Sequence, residues 1–287
     1  RAQTHARFEK HKLAIGDFTK AIELHREGFE GDLTLSHYGR ALSHRALGNH
    51  REAVDDFTAV IVDSFQQSQF ASGNGLASQS YRYRGQAQIK LDELQEAIAD
   101  FTELVEAGYS EEQDFIWRGW AHYRSKNYDL AVMDYSEALK TSPQKPDTMW
   151  RRGLSYYRLK NYTQANSDFG AAVREKPQSV RFLQWRGRSL AKLEKYADAI
   201  SDFSEIIRLD PENGRAYHSR GVANESLGNV ELAVEDWETT IRLEGKKRVV
   251  WWQTDLKKRG FYDGEVNGVY DQQMKKHLIA CATNPQC

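Results

Sequence analysis

Small and aromatic residues recur in this chain at an interval of 34 residues, and this period constrains the fold more than any other feature. In each unit an alanine follows a glycine by 12 residues, and an aromatic residue follows the alanine by four. A repeat of this length is one supersecondary unit that cannot bury its apolar face alone, so neighbouring units must stack to build a core. The glycines that mark the period each follow an arginine and are Gly85, Gly119, Gly153, Gly187 and Gly221.

Two related units precede these five, at longer intervals. Their small and aromatic positions are Ala2, Ala14 and Phe18 in the first, and Ala41, Ala53 and Phe57 in the second. The sequence therefore predicts seven repeats over residues 1–245, with the first one lacking the start of its first helix. Residues 66–75 lengthen one interval and predict a longer loop or an extended helix end, with a partner-contacting loop as the alternative.

Composition excludes several classes of protein. Lys and Arg total 40 against 41 Asp and Glu, and this balance argues against a general nucleic-acid binder, which is normally basic. No stretch approaches the roughly 18 consecutive apolar residues of a transmembrane helix. The sequence has no nucleotide-binding loop, no H-E-x-x-H and no G-x-S-x-G motif. We therefore expect a non-catalytic protein with no cofactor and no metal site.

The repeat resembles a known family. The pattern is similar to the tetratricopeptide repeat, a helix–turn–helix unit of 34 residues. The resemblance implies an all-α fold, in which a right-handed superhelix of about seven helix pairs is followed by a small helical module. It also implies that the aromatic residue fills the gap where the paired helices approach, and that proline ends the second helix. The fullest copy of the pattern consists of Met149, Arg152, Gly153, Tyr156, Ala165, Phe169 and Pro177.

In tetratricopeptide arrays the first helix of each repeat lines a concave groove, and the resemblance implies which residues face it. Aromatic anchors beside arginine are typical of binding hot spots. We therefore expect an extended peptide in the groove, with apolar side chains centrally and acidic or C-terminal groups near the arginines. The alternatives are core positions for the aromatic residues and a solvated face for the arginines. The predicted groove residues are Trp120, Tyr123, Trp150, Tyr157, Arg181, Arg188, Arg215 and His218.

One departure from the family pattern is systematic. Six units have arginine where the pattern has leucine, from Arg40 to Arg220, and an aspartate precedes the aromatic residue of every second helix. We interpret these residues as Arg–Asp ladders along the stack rather than as catalytic carboxylates, because a position repeated in every unit indicates a structural role. As exposed pairs they are expected to contribute only ~0–1 kcal/mol each.

The period ends after Gly245, and residues 246–287, the C-terminal module, carry eight Lys and Arg against four Asp and Glu. The module resembles the small peptidoglycan-binding domain of cell-wall enzymes, although Asn267 stands where that pattern has aspartate. The alternative is a compact cap on the seventh repeat, with Trp251 or Trp252 in the junction. The residues expected to bind peptidoglycan are Trp252, Gln253, Tyr262, Asn267 and Tyr270.

Both cysteines lie in the last seven residues, and the short loop between Cys281 and Cys287 permits a disulfide if the Cα atoms come within ~7 Å. Two free thiols, or half of a metal site, are the alternatives. A disulfide favours an oxidising compartment. Together with the wall-binding resemblance it predicts a bacterial periplasmic or secreted location, with the signal segment outside this chain.

The sequence thus predicts a non-catalytic adaptor. Its groove would bind a protein or an extended peptide, and its C-terminal module would tether that partner to the cell wall, where linked binding raises the effective concentration. The alternative is an interaction scaffold without wall contact, in which the C-terminal module is a cap or a second protein-binding surface.

Overall fold

The structure is a computed structural model that describes residues 2–28, 30–66 and 75–284. Within these ranges it contains fifteen α-helices and no strand, as the repeat predicts. The helices are α1 Ala2–Arg26, α2 Leu33–Leu47, α3 His50–Gln66, α4 Leu76–Lys90, α5 Leu94–Glu106, α6 Glu112–Arg124, α7 Tyr128–Thr141, α8 Pro146–Arg158, α9 Tyr162–Glu175, α10 Val180–Lys192, α11 Tyr196–Leu209, α12 Gly214–Ser226, α13 Val230–Glu244, α14 Lys246–Lys258 and α15 Gln272–Ala282.

The chain divides into two compact units, unit 1 at residues 1–143 and unit 2 at residues 144–287. In each unit, helices that are adjacent in sequence pack against one another, so consecutive helix pairs form a stack. Unit 1 contains α1 to α7, and unit 2 contains α8 to α15. No helix in the described ranges combines the length and the apolar character that a membrane crossing requires.

The glycine and the aromatic residue of each repeat meet where its two helices approach. In unit 2, a Cβ atom placed on Gly153 would lie 2.7 Å from the Phe169 ring, and one on Gly221 would lie 2.5 Å from the Trp237 ring. Both rings are almost fully buried. Any side chain larger than hydrogen at these glycines would therefore separate the helices, and the predicted role of the glycine is confirmed.

Helix ends also follow the repeat. The second helices α7, α9 and α11 end two residues before Pro143, Pro177 and Pro211, as predicted. Between the helices of a pair, one residue takes a left-handed conformation. That residue is Gly48 or Gly228 in two repeats, and Asp92, Lys126, Lys160 or Glu194 in the other four.

The first unit of the pattern differs from the prediction. A helix pair with a truncated first helix is expected there, but α1 runs without interruption from Ala2 to Arg26. Extending a helix adds one hydrogen bond per residue, whereas a turn needs a packed partner helix to stabilise it. The first unit therefore supplies one long helix instead of a pair. The lengthened interval at 66–75 lies mostly outside the described residues, which resume at Gly75.

The Arg–Asp pairs form, but they are not exposed. In the last repeat the Arg220 guanidinium donates two hydrogen bonds to Asp236, at 2.9 Å from Nε and 2.7 Å from Nη2. All six aspartate side chains of these pairs are between 4% and 8% exposed, so the expectation that the pairs are exposed was wrong. Burial raises the pKa of Asp202, while the hydrogen bonds from Arg186 oppose that rise.

The C-terminal module packs on the last repeat. Trp252 and Leu256 of α14 and Leu278 of α15 share one buried cluster with Trp237 of α13. The Trp237 and Trp252 rings are 4.9 Å apart. Trp252 therefore lies in the junction, as the cap interpretation expects, and Gly245 marks only the bend between α13 and α14.

Candidate binding cavity in the second unit

A cavity of about 450 Å³ opens among the helices of unit 2, and we call it the unit 2 cavity. Its walls come from two parallel stripes of side chains on the first helices α10 and α12, together with Tyr157 of α8 and the side chains of Tyr196 and Phe203 of α11. The stripes repeat at helical spacing, which places each on one helix face. They consist of Trp185, Arg188 and Lys192 on α10 and of Ser219, Val222 and Ser226 on α12.

Aromatic rings that hold one another in place form the apolar wall of the cavity. The Tyr157 and Trp185 rings meet edge to face with centroids 5.3 Å apart, and Tyr162 contacts the other side of Tyr157 at 5.2 Å. Behind them, Phe169 lies 6.2 Å from Trp185. Burial raises the pKa of Tyr157, so its hydroxyl stays neutral in the working pH range. The wall is a rigid apolar surface that suits an apolar side chain.

Arg188 is the main polar group of the cavity. Its guanidinium lies 5.1 Å from the Trp185 ring centroid, and no carboxylate of the described residues forms an ion pair with it. Two positions earlier, by contrast, Arg186 donates from Nε and Nη2 to Asp202. Burial lowers the pKa of Arg188, and the positive charge of Arg215 adds to this effect. A half-buried guanidinium without a counter-ion is a favourable place for an anionic group.

His218 closes one side of the cavity. Its ring lies edge to face against Trp251 and Trp252, at 5.6 Å and 5.8 Å. Its Nδ1 atom is buried, and within the described part of the chain it has no hydrogen-bond partner. Burial lowers its pKa to about 4, with Arg248 adding a smaller effect in the same direction. The ring is therefore neutral at pH 7 and belongs to the apolar wall.

The other predicted groove residues of unit 2 lie outside the cavity lining. Arg181 forms an ion pair with Asp147 and places its guanidinium 4.3 Å from the Trp150 ring centroid. This pairing neutralises Arg181, so it does not offer the free cation that the sequence suggested. Arg215 is exposed and close enough to Arg188 to affect its titration. The predicted arginine cluster thus reduces to Arg188, with Arg215 beside it.

Trp120 and Tyr123 belong to unit 1. Their rings stack at 5.6 Å with an interplanar angle of 8°, and Tyr128 packs edge-on against Tyr123 at 5.4 Å. In the same unit, Arg82 is held by the buried carboxylate of Asp114, at 2.7 Å from Nε. These two predicted groove aromatics therefore form a stacked pair in a separate compact unit from the cavity.

The residues predicted to bind peptidoglycan make internal contacts. Gln253 is buried, donates from Nε2 to Asn267 Oδ1 at 3.0 Å, and accepts from the Gly268 N–H at 2.8 Å. The Tyr262 hydroxyl donates to the Glu265 carbonyl, and the Tyr270 hydroxyl donates to Glu238 of α13 at 2.7 Å. With Trp252 in the core, these side chains hold the loop between α14 and α15 in place. Sugar contact by Trp252, Gln253 or Tyr262 would require them to leave those partners.

The predicted disulfide involves Cys287, which lies outside the described residues. Cys281 is buried in the cluster that α14 and α15 share with α13. The Cys281–Cys287 disulfide therefore stays a prediction. Among the described residues, no group of three or more His, Cys, Asp and Glu side chains could hold a metal ion.

Sequence reasoning missed three important cavity residues, Trp185, Lys192 and Tyr196. The predicted groove residues Tyr157, Arg188 and His218 do line the cavity. Trp185 and Lys192 lie on the same face of α10 as Arg188. The signal was present in the helical spacing of Trp185, Arg188 and Lys192, which repeats one period later on α12.

Comparisons with known proteins agree with this architecture. The tetratricopeptide repeat family model matches residues 38–112, 117–180, 150–213 and 186–242, which is more than half of the chain. No curated protein matches the chain significantly.

Solved structures show the same fold at low identity. The C-terminal part of a TPR repeat-containing protein from Cytophaga hutchinsonii is 19% identical, covers 84% of this chain and 98% of its own, and gives a TM-score of 0.63. MamA from Desulfovibrio magneticus RS-1 is 22% identical, covers 58% of this chain and 94% of its own, and gives a TM-score of 0.56. YrrB, described as a TPR protein with an unusual peptide-binding site, is 18% identical, covers 64% of this chain and 91% of its own, and gives a TM-score of 0.56. Together with the repeat, the paired helices and the glycine–aromatic contacts, the family match shows that this chain belongs to the tetratricopeptide repeat family.

Proposed function

We propose that this protein is an interaction scaffold that binds an acidic, extended peptide segment of a partner protein in the unit 2 cavity. The observation that supports this is the charge of the lining: the two formally charged residues there, Arg188 and Lys192, are both basic, and neither forms an ion pair within the described residues. The aromatic wall beside them suits one apolar side chain of the peptide. YrrB, described as having a peptide-binding site, is a precedent for this use of the fold.

A peptide array tests this proposal. Each peptide carries one leucine or phenylalanine flanked by Asp and Glu, and a matched peptide carries Lys and Arg instead. We expect the acidic set to bind the whole chain, with an affinity that falls as salt is raised. Arg188→Gln should weaken binding by roughly tenfold to a hundredfold, because a hydrogen bond to a charged group contributes about 1.5–3 kcal/mol.

Arg174→Gln is the matched control, because Arg174 is an exposed arginine of α9 that does not line the cavity. It should leave binding unchanged. Equal binding of the acidic and basic sets, or equal binding by the Arg188→Gln variant, would contradict the proposal.

Tethering to peptidoglycan through the C-terminal module, and a periplasmic or secreted location, rest on the sequence resemblance. A sacculus sedimentation assay with the whole chain tests the tether, with a protein of similar charge as the control. Sedimentation with sacculi would support it, and recovery of the whole chain in the supernatant would contradict it. The interaction scaffold without wall contact would then be the better description.

A further inference from the structure

We infer that Trp251 of the C-terminal module is a second contact for the same peptide, placed beside the unit 2 cavity. This inference rests on the proposed function, and it gives the C-terminal module a part in ligand binding as well as in capping. It starts from a difference between adjacent tryptophans. Trp252 is 4% exposed and packs in the core, whereas Trp251 is 44% exposed.

The Trp251 ring is exposed but held in position. Trp252 meets it edge to face at 5.1 Å, and His218 does so at 5.6 Å. The Arg248 guanidinium lies 5.2 Å from the Trp251 ring centroid and is itself anchored by Glu244 at 2.8 Å. A ring fixed from three directions loses little conformational freedom on binding, which is the condition for an effective aromatic anchor.

The exposed Trp251 indole lies next to a residue that lines the cavity. His218 lines the cavity and also touches Trp251, so a single imidazole ring separates the two apolar surfaces. Alternate side chains of an extended peptide lie about 6.6 Å apart. In an extended peptide that places one apolar side chain in the cavity, the side chains two and four residues along lie on the same face and can reach the Trp251 ring.

Charge favours an acidic peptide over a neutral glycan as the occupant. Arg188 and Lys192 line the cavity and form no ion pair within the described residues, whereas Arg248 beside Trp251 is paired with Glu244. A glycan would also stack on an exposed indole, but it would leave the basic residues of the adjoining cavity without a counter-charge. The same surface thus offers two apolar contacts, with the unpaired cations Arg188 and Lys192 beside the first of them.

The test uses fluorescein-labelled acidic peptides of 12 residues in two series. One series has a single leucine, and the other has a leucine and a phenylalanine separated by one to four residues. Fluorescence anisotropy measures their affinity for the whole chain and for the Trp251→Ala, Trp251→Phe and Arg188→Gln variants. Ile279→Ala is the matched control, because Ile279 is an exposed apolar residue of α15.

We expect the second apolar residue to raise affinity by roughly tenfold at one preferred spacing. Trp251→Ala should abolish this gain while leaving the single-leucine peptides unchanged, and Trp251→Phe should retain part of it. Arg188→Gln should weaken both series, and Ile279→Ala neither. Trp251→Ala also removes the ring contacts with Trp252 and His218 and should lower the melting temperature, so the affinities are measured well below the melting transition of each variant.

Two results would overturn the inference while leaving the proposed function standing. In the first, Trp251→Ala does not reduce the gain in affinity from the second apolar residue. In the second, Trp251→Ala weakens the binding of both peptide series equally. Binding of soluble peptidoglycan fragments that depends on Trp251, with the peptide gain intact, would also overturn it and assign the ring to a glycan. Failure of every peptide to bind the unchanged chain would instead overturn the proposed function, and this inference with it.

Discussion

The repeated arginine of the first helix connects more groups than the sequence pattern suggests. In each of six repeats, its Nε and Nη2 atoms donate to the aspartate 16 residues later. In the repeats of Arg40, Arg84, Arg118 and Arg220, the Nη1 atom also donates to a hydroxyl on the helix that precedes the repeat. The guanidinium therefore ties two helices of one repeat to the repeat before it. These four bonds join Arg40 to Thr19, Arg84 to Thr58, Arg118 to Thr102 and Arg220 to Ser204.

The first prediction concerns a buried pair. Asp202→Asn should lower the free energy of unfolding by about 3 kcal/mol, because it leaves the Arg186 guanidinium partly buried without its counter-charge. Urea denaturation followed by circular dichroism measures the change. Glu205→Gln on the same helix is the control, since Glu205 pairs with Arg208 at the surface, and it should leave the unfolding midpoint nearly unchanged. Equal effects of the two substitutions would show that burial does not set the strength of the pair.

The second prediction uses an exception in the ladder. Gly170 stands where the other repeats have the hydroxyl, so within the described residues Arg186 has no such partner for Nη1. A Cβ atom on Gly170 would have its nearest neighbours at 3.8 Å and 4.0 Å, which leaves room for a side chain. Gly170→Ala should stabilise the protein by about 0.5–1 kcal/mol through helix propensity alone.

Gly170→Ser should stabilise the protein further if the hydroxyl accepts the Arg186 bond, although serine alone is the poorer helix former. Urea denaturation of both variants provides the comparison. A serine variant less stable than the alanine variant would contradict the role assigned to the hydroxyl.

At the scale of elements, the turn between paired helices uses a residue with positive φ. In the repeat that contains α8 and α9, this residue is Lys160, with φ at 61°. The following N–H, that of Asn161, returns to the Tyr156 carbonyl at 2.9 Å and closes the turn. The Asn161 side chain then accepts from the Gln164 N–H and begins the next helix. A left-handed conformation is costly for residues with a Cβ atom, so this turn carries local strain.

The third prediction follows from that strain. Lys160→Gly and Glu194→Gly should each stabilise the protein, by up to about 1 kcal/mol, because relief of the left-handed strain outweighs the added entropy of the unfolded chain. The reverse change, Gly228→Lys, should destabilise it by a similar amount. The melting temperatures of the three variants test both expectations. Glycine variants with melting temperatures below that of the unchanged chain would contradict the role assigned to strain.

The sequence predicts the helix pairs well because the period fixes which positions are small, which are aromatic and where proline ends a helix. It predicts the cavity only in part. The sequence predicts Arg181 and Arg188 alike as groove arginines. In the structure only Arg181 has a carboxylate partner, Asp147, which lies 34 positions before it. Trp185, Lys192 and Tyr196 were missed because the family pattern marks only a few positions of each first helix, whereas neighbouring side chains also line the cavity. Long-range ion pairs and the packing of side chains between helices are tertiary properties that a local pattern does not contain.

At the scale of the whole molecule, the C-terminal module completes the core of the last repeat. A repeat array needs a terminal element to cover its final apolar face. Here α14 and α15 cover Val234, Trp237 and Ile241 of α13. The module is thus an integral part of unit 2, whatever else it binds.

The fourth prediction tests this role. A chain ending at residue 245 would leave the Trp237 side chain uncovered on one side. It should lose at least about 3 kcal/mol of stability and bind a hydrophobic dye, because large apolar side chains would return to water. Urea denaturation and dye fluorescence measure both effects. An unchanged unfolding midpoint would mean that the last repeat does not need the module.

The fifth prediction concerns pH and the same junction. His218 has a pKa of about 4 in the folded protein, against about 6.5 when unfolded. Between these values the unfolded state binds a proton that the folded state does not, so the stability contributed by the neutral ring is complete above pH 6.5 and is lost as the pH falls towards 4. The loss should be about 2–3 kcal/mol. The charged groups that face the ring, Arg248, Glu244 and Asp255, are all in unit 2.

Urea denaturation at half-unit steps from pH 4.5 to pH 7.5 measures this dependence. His218→Gln should flatten it, because glutamine does not titrate, and it should make the protein less stable than the unchanged chain at pH 7.5, where the aromatic contacts with Trp251 and Trp252 are lost. His44→Gln in unit 1 is the control and should keep the original slope. If the slope survives in the His218 variant, the acid sensitivity arises elsewhere, and the imidazole at the junction is not buried in the neutral form.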